Sequence, residues 1–157
     1  SNMKKLILSI IALCAITAFS CGQSKPNAKR PKAKTAAEWK KILTPDQFYI
    51  MVQSGTEPPF HNAYWNNHEA GVYVSAATGD VLFSSADKFD SGTGWPSFVK
   101  AVNPSVVEIR KDPDGERDEV IERSTGLHLG HVFDDGPVER GGKRFCMDSG
   151  ALKFVKK

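Results

Sequence analysis

Val106-Val107-Glu108-Ile109-Arg110-Lys111-Asp112-Pro113-Asp114-Gly115-Glu116-Arg117-Asp118-Glu119-Val120-Ile121-Glu122-Arg123 decides the fold class. Asp112-Pro113-Asp114-Gly115 is turn chemistry, because proline presets φ, aspartate bonds nearby backbone and glycine accepts positive φ. Residues 106–111 and 118–123 on either side are strand-like, so the whole reads as a hairpin. Further short strands are expected at 71–75, 81–84, 127–133, 144–147 and 151–155, with Thr78-Gly79-Asp80 and Arg140-Gly141-Gly142 as turns. That pattern is mainly antiparallel β. Upstream, Thr35-Ala36-Ala37-Glu38 and Thr44-Pro45-Asp46-Gln47 have capping-box spacing, which predicts two short N-terminal helices, with Gly55 as a stop.

The 157 residues suffice for one domain and an extension. Charge divides unevenly along the chain. Residues 1–43 hold nine Lys/Arg against the single acid Glu38, whereas residues 44–157 hold 12 Lys/Arg against 17 Asp/Glu. An acidic body is a poor match to a phosphate backbone, so no nucleic acid is expected as a ligand.

Ser1-Asn2 reads as a cloning scar. After it, Met3-Lys4-Lys5 precedes an apolar run from Leu6 to Phe19, shorter than the roughly 20 residues of a permanent membrane helix. Ala18-Phe19-Ser20-Cys21 resembles a bacterial lipobox, making Cys21 the expected lipid attachment; ordinary signal cleavage releasing a soluble periplasmic protein is the alternative. Residues 1–21 are therefore expected to be scar and signal segment, 22–34 a flexible basic tether, and 35–157 the domain. The expected location is the bacterial cell envelope, with the chain anchored to the membrane.

With Cys14 in the signal run and Cys21 at the processing site, Cys146 is the one thiol of the domain. It is either an inert buried residue or a reactive group. Alternation over 144–148 sends Phe145 and Met147 to the core and Arg144, Cys146 and Asp148 to the other face. There Arg144 favours the thiolate, and an ionised Asp148 opposes it.

In His128-Leu129-Gly130-His131-Val132-Phe133 the histidines would fall on opposite faces of a regular strand, but a bulge at Gly130 brings them to one side. They read as proton-transfer groups, as structural histidines or as a metal-ligand pair. Trp95, fixed between Gly94 and Pro96 in an aromatic loop, either closes the core or offers an aromatic face to a methyl on sulfur. His61 and His68 read as surface or structural residues.

Four ordered segments, Gly55-Thr56-Glu57-Pro58-Pro59-Phe60, Lys88-Phe89-Asp90-Ser91-Gly92-Thr93-Gly94-Trp95-Pro96-Ser97-Phe98, His128-Leu129-Gly130-His131-Val132-Phe133 and Arg144-Phe145-Cys146-Met147, closely resemble the B-type methionine sulfoxide reductases. The resemblance covers nearly all of residues 44–155. It implies a mainly β fold of two antiparallel sheets and reduction of the R epimer of methionine sulfoxide, which restores an apolar side chain. It also implies that Cys146 attacks sulfur while His131, helped by His128, protonates the departing oxygen. Trp95, Phe133 and Asp148 would contact substrate, and Arg144 would keep Cys146 reactive. No organic cofactor is implied; the partners are oxidised methionine in proteins or peptides and a thioredoxin-like or other thiol reductant.

The sequence departs from many relatives in three places. Two Cys-x-x-Cys pairs that hold structural zinc appear here as Ser75/Thr78 and Glu122/Thr125, so no metal and a fold held by packing alone are expected. Thr93 stands where a resolving cysteine often lies, which leaves an external thiol to reduce a Cys146 sulfenic acid. Asp148 replaces a frequent Asn. The rival reading is a metal-binding envelope lipoprotein using His128, His131 and Cys146.

Overall fold

The computed structural model describes residues 30–157. The expected signal segment, Cys21 and most of the tether lie outside the described residues. Among the described residues no helix is long and apolar enough to cross a membrane.

Helices α1 (Ala36–Ile42) and α2 (Pro45–Met51) start as their capping boxes predict. The Thr35 and Thr44 hydroxyls accept from the backbone of Glu38 and Gln47, whose side chains accept in return from the backbone of the two threonines. The second helix stops before Gly55. Gly55 N donates back to the Tyr49 carbonyl at 2.8 Å, and the glycine also serves a close approach, since a Cβ there would lie 2.4 Å from the Tyr49 ring.

Among the described residues nine strands follow: β1 (Gly71–Ser75), β2 (Val81–Ser84), β3 (Lys88–Phe89), β4 (Ser97–Phe98), β5 (Val107–Lys111), β6 (Asp118–Glu122), β7 (His128–Phe133), β8 (Arg144–Met147) and β9 (Leu152–Lys156). They form two antiparallel sheets, ordered β2-β1-β9 and β3-β4-β8-β7-β6-β5. Both sheets and both helices were expected. The two-residue strands β3 and β4 were not; they pair within the loop around Trp95 and tie it to β8.

Between the sheets, Tyr73 and Phe83 from β1 and β2 meet Phe98 from β4, with ring centroids 5.0 and 4.6 Å apart. Burying each such ring contributes about 1.5–3 kcal/mol before entropy is counted. Trp39, Ile50 and Met51 extend this core beneath the helices.

Two expectations need correction. Residues 30–34, assigned to the flexible tether, lie on the domain: Arg30 pairs with Glu108 at 3.1 Å and donates to the Arg123 carbonyl, and Lys32 pairs with Asp80 at 2.6 Å. Acidic and carbonyl acceptors of the body hold these cations against the domain surface. Nor is packing the only cross-link. Glu122, 1% exposed, accepts from Ser75 Oγ at 3.1 Å, Thr78 Oγ1 at 2.7 Å and Thr125 Oγ1 at 2.8 Å. One buried carboxylate thus joins the β1–β2 turn to the β6–β7 turn. Three hydroxyl donors meet the requirement that a buried acid be hydrogen-bonded.

Candidate active site

Cys146 sits at the centre of the larger sheet, opposite Ser97 on β4 and His131 on β7. The alternation read from sequence holds over β8, where Phe145 and Met147 are buried and Arg144 and Cys146 are half-buried. Asp148 lies on the same side but is only 5% exposed. A cleft of about 240 Å³ opens above the thiol. Arg144, Trp95, His131, Phe133 and Asp148 reach it together, with Thr93 beside Cys146.

The bulge expected near Gly130 is present. Val120 pairs with Gly130 while the next residue, Ile121, pairs with His128, so Leu129 is the extra residue. This turns both histidines to one side, with ring centroids 5.3 Å apart. Gly130 also permits β8 to approach, since a Cβ there would lie 2.1 Å from the Cys146 carbonyl oxygen.

Their environments differ. His131 reaches the cleft, and its Nε2 is 2.7 Å from Asp112 Oδ2. His128 lies behind it at 4% exposure and is not among the cleft-lining residues. Its Nδ1 is 2.6 Å from Glu119 Oε2 and its Nε2 is 3.4 Å from Asp148 Oδ2. Burial works against a charge on this ring, but the bonds to Asp148 and Glu119 outweigh it and raise the His128 pKa.

Arg144 is clamped by Asp135 at 2.8 and 3.0 Å, and its guanidinium lies 4.4 Å from the Phe133 ring centre. Burial pushes the Cys146 thiol up. Arg144 pulls it down and Asp148 pushes it further up, while hydrogen bonds from Thr93 and Arg144 favour the thiolate; the balance remains upward. Arg144 and Asp148 therefore act with the signs read from sequence, but burial is the larger influence.

Trp95 donates from Nε1 to the Glu57 carbonyl oxygen at 3.0 Å, which fixes the ring at the cleft wall. The Glu57 carboxylate accepts from Ser149 N and, at 3.0 Å, from Gly150 N, just past β8. Thr56 Oγ1 donates to Asp148 Oδ1 at 2.8 Å. The segment 55–60 thereby holds both walls of the cleft.

Glu57, Asp112 and Glu119 are partners that the sequence reading did not single out. Glu119 was within reach of it: the Asp112–Gly115 turn sets Arg110 opposite Glu119, and the bulge sets His131 opposite Glu119 as well. Among the described residues no group of three or more His, Cys, Asp and Glu is arranged to hold a metal ion, so the rival metal site gains no support from the geometry. His68 is exposed and pairs with Asp90, away from the cleft.

Comparison with known proteins gives two findings. The SelR domain family matches residues 43–156. A peptide methionine sulfoxide reductase MsrB from Methanosarcina barkeri (strain Fusaro / DSM 804) is 46% identical over 129 residues, covering 81% of this chain and 90% of that protein.

Proposed function

We propose, from the premise that this chain belongs to the SelR-domain family of B-type methionine sulfoxide reductases, that it reduces the R epimer of methionine sulfoxide, in peptides or free, with Cys146 as nucleophile. The enzyme is an oxidoreductase acting on sulfur. The observation that carries the assignment of roles is the meeting of Cys146, His131 and Trp95 in one cleft.

In the first step the Cys146 sulfur attacks the sulfoxide sulfur and His131 delivers a proton to the oxygen. Trp95 and Phe133 give the methyl and the thioether an apolar wall. Oxygen passes to Cys146, methionine leaves, and the cysteine becomes a sulfenic acid. Arg144 favours the thiolate through its charge, and Asp135 and Phe133 keep it in place. His128 acts from behind His131, so its part is to position Asp148 rather than to meet substrate.

In the second step an external thiol forms a mixed disulfide with Cys146 and releases water; a further thiol frees the enzyme. Two observations support this route. Cys146 is the free cysteine among the described residues, and Thr93, which hydrogen-bonds to Ser91 Oγ at 2.8 Å, offers no thiol beside it. A thioredoxin-like protein of the envelope suits the role. The signal features of residues 3–21 favour export and anchoring through a lipid on Cys21, which labelled fatty-acid incorporation lost in Cys21→Ser tests.

A single turnover without reductant tests the recycling step. One methionine per chain and a trappable sulfenic acid on Cys146 are expected. A Cys21–Cys146 disulfide overturns the external route.

A further inference from the structure

A chain of buried hydrogen bonds and one ion contact crosses the larger sheet beneath the cleft and ends on it. Arg110 on β5 donates from Nε to Glu119 Oε1 at 2.6 Å. Glu119 Oε2 meets His128 Nδ1 at 2.6 Å, His128 Nε2 lies 3.4 Å from Asp148 Oδ2, and Asp148 Oδ1 accepts from Thr56. The Glu119, His128 and Asp148 side chains are 2%, 4% and 6% exposed, whereas Arg110 reaches solvent.

Two carboxylates around one ring impose a charge state. A neutral imidazole donates from one nitrogen only, which would leave one acid facing a lone pair; the protonated ring donates from both. Charges then balance in pairs, Arg110 with Glu119 and His128 with Asp148, as buried ions require. The upward shift of the His128 pKa agrees with this geometry.

We propose that Glu119 is a positioning residue of the reaction: by holding protonated His128 against Asp148, it pins and offsets the Asp148 carboxylate beside Cys146. The proposal rests on Cys146 as nucleophile. Asp148 raises the cost of the Cys146 thiolate, so whatever offsets Asp148 makes the thiol more reactive. The other charged or titratable groups around Cys146 do not take part in this chain. Arg144 is held by Asp135, His131 on β7 has its own partner in Asp112, and Arg117 at the cleft rim pairs with Asp114. Among the described residues His128 contacts Glu119, Asp148 and the His131 ring. The Glu57 carboxylate, bonded to the Ser149 and Gly150 backbone, faces Asp148 from segment 55–60 and is the further acid against which Asp148 must be offset.

The test is the pH dependence of iodoacetamide alkylation at Cys146, read on its own peptide by mass spectrometry in the full chain. Glu119→Gln is expected to slow alkylation near neutral pH roughly three- to tenfold, since one unit of pKa is about tenfold in thiolate. Glu119→Asp, which keeps the charge, should recover part of the rate. Asp148→Asn should move the profile to lower pH, and in that background Glu119→Gln should have no further effect. Equal slowing by Glu119→Gln in both backgrounds overturns the proposal, because the effect would then not pass through Asp148.

Nitrogen NMR of the His128 ring in the unaltered protein gives a second measurement independent of variant folding. Two protonated nitrogens at neutral pH are expected, and a neutral ring overturns the proposal. Retention of turnover by Cys146→Ser would instead refute the nucleophile assignment, leaving these two readouts to judge Glu119 separately.

Discussion

Glu122→Ala should destabilise the domain strongly while leaving the cleft's chemistry intact in the folded protein. The substitution removes the acceptor of three hydroxyl donors, Ser75, Thr78 and Thr125, two of them on residues no more than 7% exposed. Hydrogen bonds to a charged group contribute about 1.5–3 kcal/mol each. They are not additive here, because they share one carboxylate and the freed hydroxyls can partly re-pair. A loss of about 3–5 kcal/mol is expected, in the range for breaking a buried charged network. For a domain of this size that is a fall in Tm of roughly 10–20 °C. Urea unfolding followed by circular dichroism reads the free energy directly, with the slope checked for two-state behaviour. Turnover below the lowered Tm should stay within about twofold of the unaltered protein, since Glu122 lies at the end of β6 remote from Asp118 and is absent from the cleft. A stability change under about 1 kcal/mol would refute the role given to this carboxylate.

Two other outcomes follow from the close approach of β7 to β8 and from the charge on His128. Gly130→Ala sets a methyl against the Cys146 carbonyl oxygen and the Met147 backbone, so a loss of roughly 3 kcal/mol in urea unfolding and a fall in turnover together are expected; an unperturbed protein would show that the strands tolerate separation. His128 has a raised pKa in the folded protein, so its ion pairs stabilise fully below its unfolded value of about 6.5 and are lost as pH rises through the folded value. The stability difference between the unaltered protein and His128→Asn should therefore shrink with increasing pH, and a difference that grows instead would reverse the assigned sign.

Much of the architecture was legible because it is written in local signals. The two capping boxes start their helices, and the Asp112–Gly115 turn fixes the β5–β6 register from Val107 opposite Glu122 to Lys111 opposite Asp118. Alternation over β8 aimed Cys146 out of the core, and Gly130 betrayed the bulge that gathers the histidines. Strands β3 and β4 were not legible, since two residues carry no periodicity and their pairing depends on β8. Long-range polar contacts were equally hidden. Arg30 and Lys32 look like linker residues until Glu108 and Asp80 are brought beside them. Ser75, Thr78, Glu122 and Thr125 signalled only missing thiols, because nothing local says that one of the four would serve as acceptor for the other three.

The central claim is tested most directly by turnover of separately prepared R and S epimers of a methionine sulfoxide peptide, using the unaltered protein and Cys146→Ser with a dithiol reductant. Only the R epimer should be consumed by the unaltered protein, and Cys146→Ser should consume neither; reduction of the S epimer, or continued reduction of the R epimer by Cys146→Ser, would show that Cys146 is not the R-selective nucleophile.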